Sequence, residues 1–381
     1  MRRQELAPFL TNHSNHPWMS RRRLAAGALL AVLVAGCAGA PARKTAEILW
    51  PGPPLVPRIK FVGVLRHQQD VLGRADAGGS RGLAALLLGP RDTPSVLQQP
   101  MGLAVSRDGA RLYVTDFAKP GVVVFDLTRQ SLRWLDAGPD GFQAPFGIAL
   151  DAQDRIYVVD STARLIRVLD ATGAVQRTIT HESLVRPTGV AVDAARNRLY
   201  VADSSVRDLR SHAIRLFDLE GRYHGIFGDG AEEGLFPTYL AVDAGGNVYA
   251  TDTFNARVQV FNPEGWLIKT LGERGDAYGM FDKPKGVALD SFGNVYVVDS
   301  AWSNVQIFNP RGQVLLFFGG RGQAPGLLSN PTGLAIDGQN RIYVADAFNS
   351  RVSVYQLINT AAQDSEATVP PSAPATPEHQ S

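Results

Sequence analysis

The sequence repeats itself six times. The hexapeptide Pro100-Met101-Gly102-Leu103-Ala104-Val105 returns, with substitutions, from Pro145, Pro187, Pro237, Pro284 and Pro331, at intervals of 45, 42, 50, 47 and 47 residues. A period in this range belongs to propellers and solenoids, where one supersecondary unit buries its apolar face against the next. About ten residues after each proline comes an apolar-Tyr-apolar-x-Asp segment, as in Ile342-Tyr343-Val344-Ala345-Asp346. A third short run follows, such as residues 258–261, and a fourth, such as 266–272. The runs are β-branched and aromatic and end in turn residues such as Asn262-Pro263-Glu264-Gly265, so each reads as a strand. Four antiparallel strands per period make a blade. The chain is therefore expected to be all-β, a six-bladed β-propeller of four-stranded antiparallel blades over residues 100–358.

The sixth repeat has no outer strand of its own, because the Pro-, Ala-, Ser- and Thr-rich stretch 359–381 begins soon after Tyr355. Residues 58–65, Arg-Ile-Lys-Phe-Val-Gly-Val-Leu, have the right character at the other end of the chain. They are predicted to complete the sixth blade, closing the ring and removing an open edge. The propeller then spans 58–358, with 359–381 as a disordered tail and 37–57 as a Pro-rich linker. Between the closing strand and blade one lies an insertion, 67–99, with the apolar stretch Gly82-Leu83-Ala84-Ala85-Leu86-Leu87-Leu88. It is expected to form a lid over one face of the ring, or an apolar contact for a partner or the membrane.

With 381 residues, 45% hydrophobic and 19% charged, the chain is too apolar for wholesale disorder, and its 38 glycines are the sum of turns repeated in every blade. The apolar run 24–34 follows Arg21, Arg22 and Arg23 and is too short to span a bilayer as a helix, so it reads as a signal-peptide core within residues 1–36. Met19 is a possible true start. Val34-Ala35-Gly36-Cys37 resembles the lipobox of bacterial lipoproteins, which implies acylation of Cys37 and loss of what precedes it. The arginine triplet also resembles a twin-arginine export signal, and Ala38 resembles the sorting residue of outer-membrane lipoproteins. An exported protein anchored to the cell envelope is expected, on the outer membrane where the host has one. The segment before Cys37 holds five of the 38 basic residues and one of the 36 acidic, so the remainder carries a formal charge of −2 in place of +2. The basic balance that would suggest nucleic acid lies in the signal. With one cysteine, no disulfide contributes to folding.

Residues 100–355 resemble the NHL-repeat family, whose motif combines a Gly-rich turn, Pro-x-Gly, a Tyr-Val-x-Asp strand and an Asn-x-Arg pair. Asp252-Thr253-Phe254-Asn255-Ala256-Arg257 and Asp346-Ala347-Phe348-Asn349-Ser350-Arg351 carry it most clearly. The lead-in from Trp50 to Pro57 and the closing strand resemble bacterial lipoproteins bearing this propeller. The resemblance implies the fold. It leaves function open, because NHL propellers include enzymes, RNA binders and protein scaffolds.

Asp116, Asp160, Asp203, Asp252, Asp299 and Asp346 recur once per blade. A residue present in every blade has a task that every blade shares, and an Asp at a strand end accepts backbone N–H bonds, so a structural role is expected rather than a cation site. Catalysis needs unlike groups converging on one point. Resemblance to amidating lyases would imply zinc held by several channel histidines, and resemblance to lactonase-like propellers would imply calcium on non-repeated inner Glu, Asn and Asp. His67, His181, His212 and His224 do not occupy equivalent inner positions, and no such inner acidic set is found. No metal or cofactor is predicted. A metal-dependent lyase or lactonase and an RNA binder remain as alternatives, the latter opposed by the exported location.

Departures from the repeat are the clues to binding. Tyr239 stands where the other five blades have Gly, and should project near the channel mouth. Met101, Phe146, Thr188, Thr238, Lys285 and Thr332, each following its proline, are expected on the same rim. Arg207 and Arg210 lie in an extended loop of blade three on that face. Together these are the predicted binding face of a monomeric propeller whose partner is a protein or a cell-envelope component.

Overall fold

Proline can begin a strand because the first residue needs no ladder N–H, and it does so six times. In the computed structural model, which describes residues 47–71, 96–204, 212–228 and 234–359, the inner strands are Pro100–Val105, Pro145–Leu150, Pro187–Asp193, Pro237–Val242, Pro284–Leu289 and Pro331–Ile336. Each opens an antiparallel sheet running inner, second, third and outer strand, giving six blades in a ring. In every blade the proline pairs with the aspartate that ends the second strand, as Pro284 does with Asp299, and a bulge follows in the inner strand. Strand starts, second-strand ends and the loops joining second to third strands therefore share one face, called here the proline face.

The closing strand is present as Ile59–Leu65. It pairs antiparallel with Arg351–Leu357, Ile59 opposite Leu357 and Leu65 opposite Val352. The stretch expected to be a linker over 37–57 is described from residue 47, and there it is not a free connection. Leu49–Trp50 adds a fifth strand to the sixth blade, and the Trp50 ring sits 6.1 Å from Phe318 and 5.8 Å from Tyr355. Burying an indole between blades five and six outweighs the freedom such a short segment would otherwise keep.

The core is divided. Six apolar clusters each fill the space between two neighbouring blades, the one between blades six and one joining Leu65, Leu97 and Phe125 to Tyr343 and Val352. The repeated tyrosines of the second strands contribute the largest side chains, Tyr157, Tyr296 and Tyr343 being buried. Their hydroxyls donate to Asp151, Asp290 and Asp337 at 3.1–3.2 Å, so the aspartates of the opposite face hold both a hairpin turn and a buried phenol. Blade one has Ser106 at that position, and the Tyr113 hydroxyl makes no hydrogen bond.

The blades abut through glycine. A Cβ at Gly102, Gly147, Gly189, Gly286 or Gly333 would come within 2.2–2.6 Å of a backbone carbonyl oxygen of the next blade's inner strand. Only a residue without a side chain permits that approach. Blade four has Tyr239 there, and its junction with blade five is the loosest of the six.

Most of the predicted lid, the Arg207–Arg210 loop, Cys37 with the signal segment, and the tail from 360 lie outside the described residues. At the described edges of the insertion, one helical turn, Gln68–Val71, follows the closing strand, and the Val96 N–H donates to the Arg66 carbonyl at 2.9 Å.

Candidate functional site

The repeated aspartates are fully buried and each clamps the loop that leads into its own blade's inner strand. Asp116 accepts from the Gln98 and Gln99 N–H groups and from Lys119, Asp160 from Gln143 and Ala144, and Asp203 from Val185 and Arg186. Asp252 and Asp346 also meet the Asn-x-Arg pair of the motif: Arg257 Nε lies 3.0 Å from Asp252 and Arg351 Nε 2.8 Å from Asp346. Burial raises both carboxyls above the ordinary value, against the bonds from Asn255 and Asn349 that lower them. With their oxygens committed to backbone amides, these side chains build the proline face and do not present it to a ligand.

The rim residues divide. Thr188 and Thr332 are buried, and their hydroxyls donate to carbonyls of the next blade, Thr188 to Thr238 at 3.1 Å and Thr332 to Pro100 at 3.0 Å. Thr238 is bound to Thr253 at 2.5 Å, and Thr253 carries the link on to the Pro284 carbonyl at 2.6 Å. Met101 is buried. These four stitch blade to blade.

Tyr239, Phe146 and Lys285 differ from them. Tyr239 is 8% exposed and fills the middle of the ring. Its ring contacts Phe146 at 6.0 Å, and burial raises its phenol well above the ordinary value. The hydroxyl looks toward Thr332 without reaching hydrogen-bond geometry. A cavity of about 30 Å³ remains, lined by Gly102, Gly147, Gly189, Tyr239 and Gly333, room for one water. Lys285 is half-buried and, among the described residues, has neither a hydrogen bond nor an ion pair. Burial pushes its ammonium down to about 8, with Lys283 adding to the effect and Asp299 opposing it.

Four aromatic side chains outside the rim positions stand exposed on the same face. Phe254 (56% exposed), Trp302 (44%), Phe348 (67%) and Phe117 (41%) sit in the loops after the second strands of blades four, five, six and one, which are consecutive around the ring. The signal was an aromatic one to three residues past the repeated aspartate. The loops are held in place: Arg274 donates to the Phe254 carbonyl, Arg321 to the Ala301 carbonyl at 2.8 Å, and the N–H groups of Phe348 and Phe117 to Ser329 and Gln99.

The histidines are dispersed. His181 stacks on Tyr223 at 4.1 Å, His212 packs on Phe236, and His224 meets Asp218 at 3.3 Å. Among the described residues no three His, Cys, Asp or Glu side chains gather in a way that could hold a metal ion, and no helix is long and apolar enough to cross a membrane.

The NHL repeat model matches residues 328–355, which cover the three strands that blade six takes from the C-terminal part of the chain. No curated protein matches in sequence. Among solved structures, a Bacteroides thetaiotaomicron protein of unknown function is 16% identical, with a TM-score of 0.58 over 70% of this chain and 71% of that one. The auxiliary nutrient binding protein of the same organism is 12% identical, with a TM-score of 0.56 over 70% and 71%. Virginiamycin B lyase from Staphylococcus aureus is 14% identical, with a TM-score of 0.51 over 71% and 83%. At such identities the likeness is one of fold. The NHL repeat model thus matches in blade six, and the Tyr-x-x-Asp pattern recurs in the second strand of every blade, with Pro-x-Gly opening all but blade four, so the chain is a six-bladed β-propeller that carries an NHL repeat.

Proposed function

We propose that the protein is an exported, lipid-anchored binding scaffold that holds a protein or another cell-envelope component against its proline face. The observation that carries this reading is the arc of four exposed aromatics on consecutive blades, set on loops fixed by arginine and backbone bonds. Interfaces concentrate binding energy in aromatic anchors on rigid supports, because little entropy is lost when they are covered. Within the ring, the cavity beside Tyr239 measures about 30 Å³, room for one water. The anchor is the acylated Cys37 of the lipobox-like tetrapeptide, and several acyl chains at about 0.8 kcal/mol per buried methylene hold a protein stably on a membrane.

Two measurements test this. Cys37→Ser is expected to stop incorporation of labelled palmitate and release the protein from membranes; labelling that persists would refute the anchor. Photo-crosslinking in intact cells from a benzoylphenylalanine placed at Phe348 should identify one dominant neighbour, and Phe254→Ala combined with Trp302→Ala should reduce that product tenfold or more. An unchanged product would refute the proline face as the binding surface.

A further inference from the structure

Resting on the binding-face reading, the geometry points to a specific chemistry at its centre: we propose that the channel mouth is a carboxylate receptor, in which the Lys285 ammonium receives an acidic group of the docked protein. Of the six equivalent rim positions, two are apolar, Met101 and Phe146, and three are threonines whose hydroxyls are engaged by threonine hydroxyls or neighbouring carbonyls. Lys285 is the single charged member, half-buried beside the blade-four junction that Tyr239 holds open. The charged groups that bear on it are Lys283, just before its strand, and Asp299 on the adjacent second strand.

Neither neutralises it. Lys283 repels it, and the Asp299 carboxylate already accepts N–H bonds from Asp282 at 2.7 Å, Ala301 at 2.9 Å and Trp302 at 3.1 Å. The free protein therefore keeps a half-buried cation that feels Asp299 only at a distance and that, among the described residues, no carboxylate contacts. A carboxylate arriving from outside restores the lost solvation, and its attraction is stronger there than at an exposed lysine because less water screens the pair. The surrounding surface selects the carrier. A sugar chain needs free donors and acceptors beside the rings it stacks on, but around the arc Asn255, Asn349, Arg274 and Arg321 already donate to groups of this chain. A protein presenting an acidic side chain or its C-terminal carboxylate within an apolar patch meets both features, the cation in the middle and the aromatic rim around it.

The test uses the full chain labelled with [ε-13C]lysine. Its six lysines give a sparse spectrum in which the Lys285 signal is the one missing from Lys285→Gln. The probes are N-acetylglutamate amide, for a side-chain carboxylate, N-acetylglycine, for a terminal one, and glucuronate, for an acidic sugar, each at tens of millimolar. Either amino-acid probe, or both, is expected to raise the Lys285 midpoint by about half a pH unit or more while leaving Lys60 and Lys119 unmoved, and which probe acts more strongly identifies the source. A Lys285 midpoint unmoved by both, a shift shared equally with the surface lysines, or a larger shift from glucuronate would overturn the proposal. Crosslinking from position 348 separates this from the wider reading. Lys285→Gln should reduce the product about fivefold; an undiminished product would leave the binding face standing and remove the carboxylate.

Discussion

Phe146 and Tyr239, from blades two and four, meet in the middle of the ring with centroids 6.0 Å apart and planes inclined at 47°. The contact fills the middle of the ring at the level where the five other blades bring glycine against carbonyl.

Tyr239 supplies this contact through its ring and not its hydroxyl, which has no hydrogen bond. Tyr239→Phe is expected to leave stability unchanged or raise it slightly, because it removes a buried polar atom that gains nothing in the fold. Tyr239→Ala should cost about 3 kcal/mol by leaving a cavity between blades four and five. Urea unfolding of the two variants decides; equal losses would refute the separation of ring from hydroxyl.

The glycine contacts predict a position-specific penalty. Gly286→Ala places a methyl 2.5 Å from the Thr332 carbonyl oxygen, whereas Gly63→Ala meets nothing within 4 Å. The first should destabilise by about 1–3 kcal/mol and the second by little, measured as a shift in urea midpoint.

Asp218 gives a pH dependence with a definite sign. Burial raises its carboxyl, but the Arg222 backbone N–H at 2.8 Å, the Arg222 guanidinium at 2.7 Å and His224 outweigh this and hold it at about 2. A carboxyl lowered by folding contributes stability that is complete above its ordinary value and lost as pH falls from about 4 to 2. In Asp218→Asn the decline of stability across that window should be shallower than in the parent, as followed by chemical unfolding at stepped pH.

Lys285 works in the opposite direction. An ammonium lowered to about 8 by folding disfavours the folded state while it is protonated, so stability rises as pH climbs from about 8 toward the ordinary lysine value. Lys285→Met should be more stable than the parent at neutral pH and lack that rise. A parent whose thermal midpoint is flat between pH 8 and 10 would contradict the burial of this amine.

Breaking an aspartate clamp should be costly. Asp346→Ala leaves the buried Arg351 guanidinium without its carboxylate and the half-buried Ser329 N–H, 2.6 Å from an aspartate oxygen, without an acceptor. A loss of about 3–5 kcal/mol is expected from removal of one partner of a buried pair. Thermal unfolding followed by circular dichroism should shift to lower temperature; an unchanged midpoint would contradict the clamp.

Much of this architecture is written in local chemistry. Pro-x-Gly, Tyr-x-x-Asp and the turn glycines act within one blade, so their period is legible along the chain, and with it the blade number and the need for a closing strand. What the repeat could not show is what happens between blades. The threonines after the prolines resemble candidate ligand groups in sequence, yet the neighbouring blade's carbonyls engage them, a partner about 50 residues away in the case of Thr188 and Thr238. Trp50 reads as part of a Pro-rich linker until the ring closes and offers it Phe318 and Tyr355. The aromatic arc is four unremarkable loop residues until the circle sets their blades side by side. Periodicity records the contacts a residue makes with its own unit. Which side chains are left facing water, and which lysine is left without a contacting carboxylate, depends on where six units are placed around a common axis.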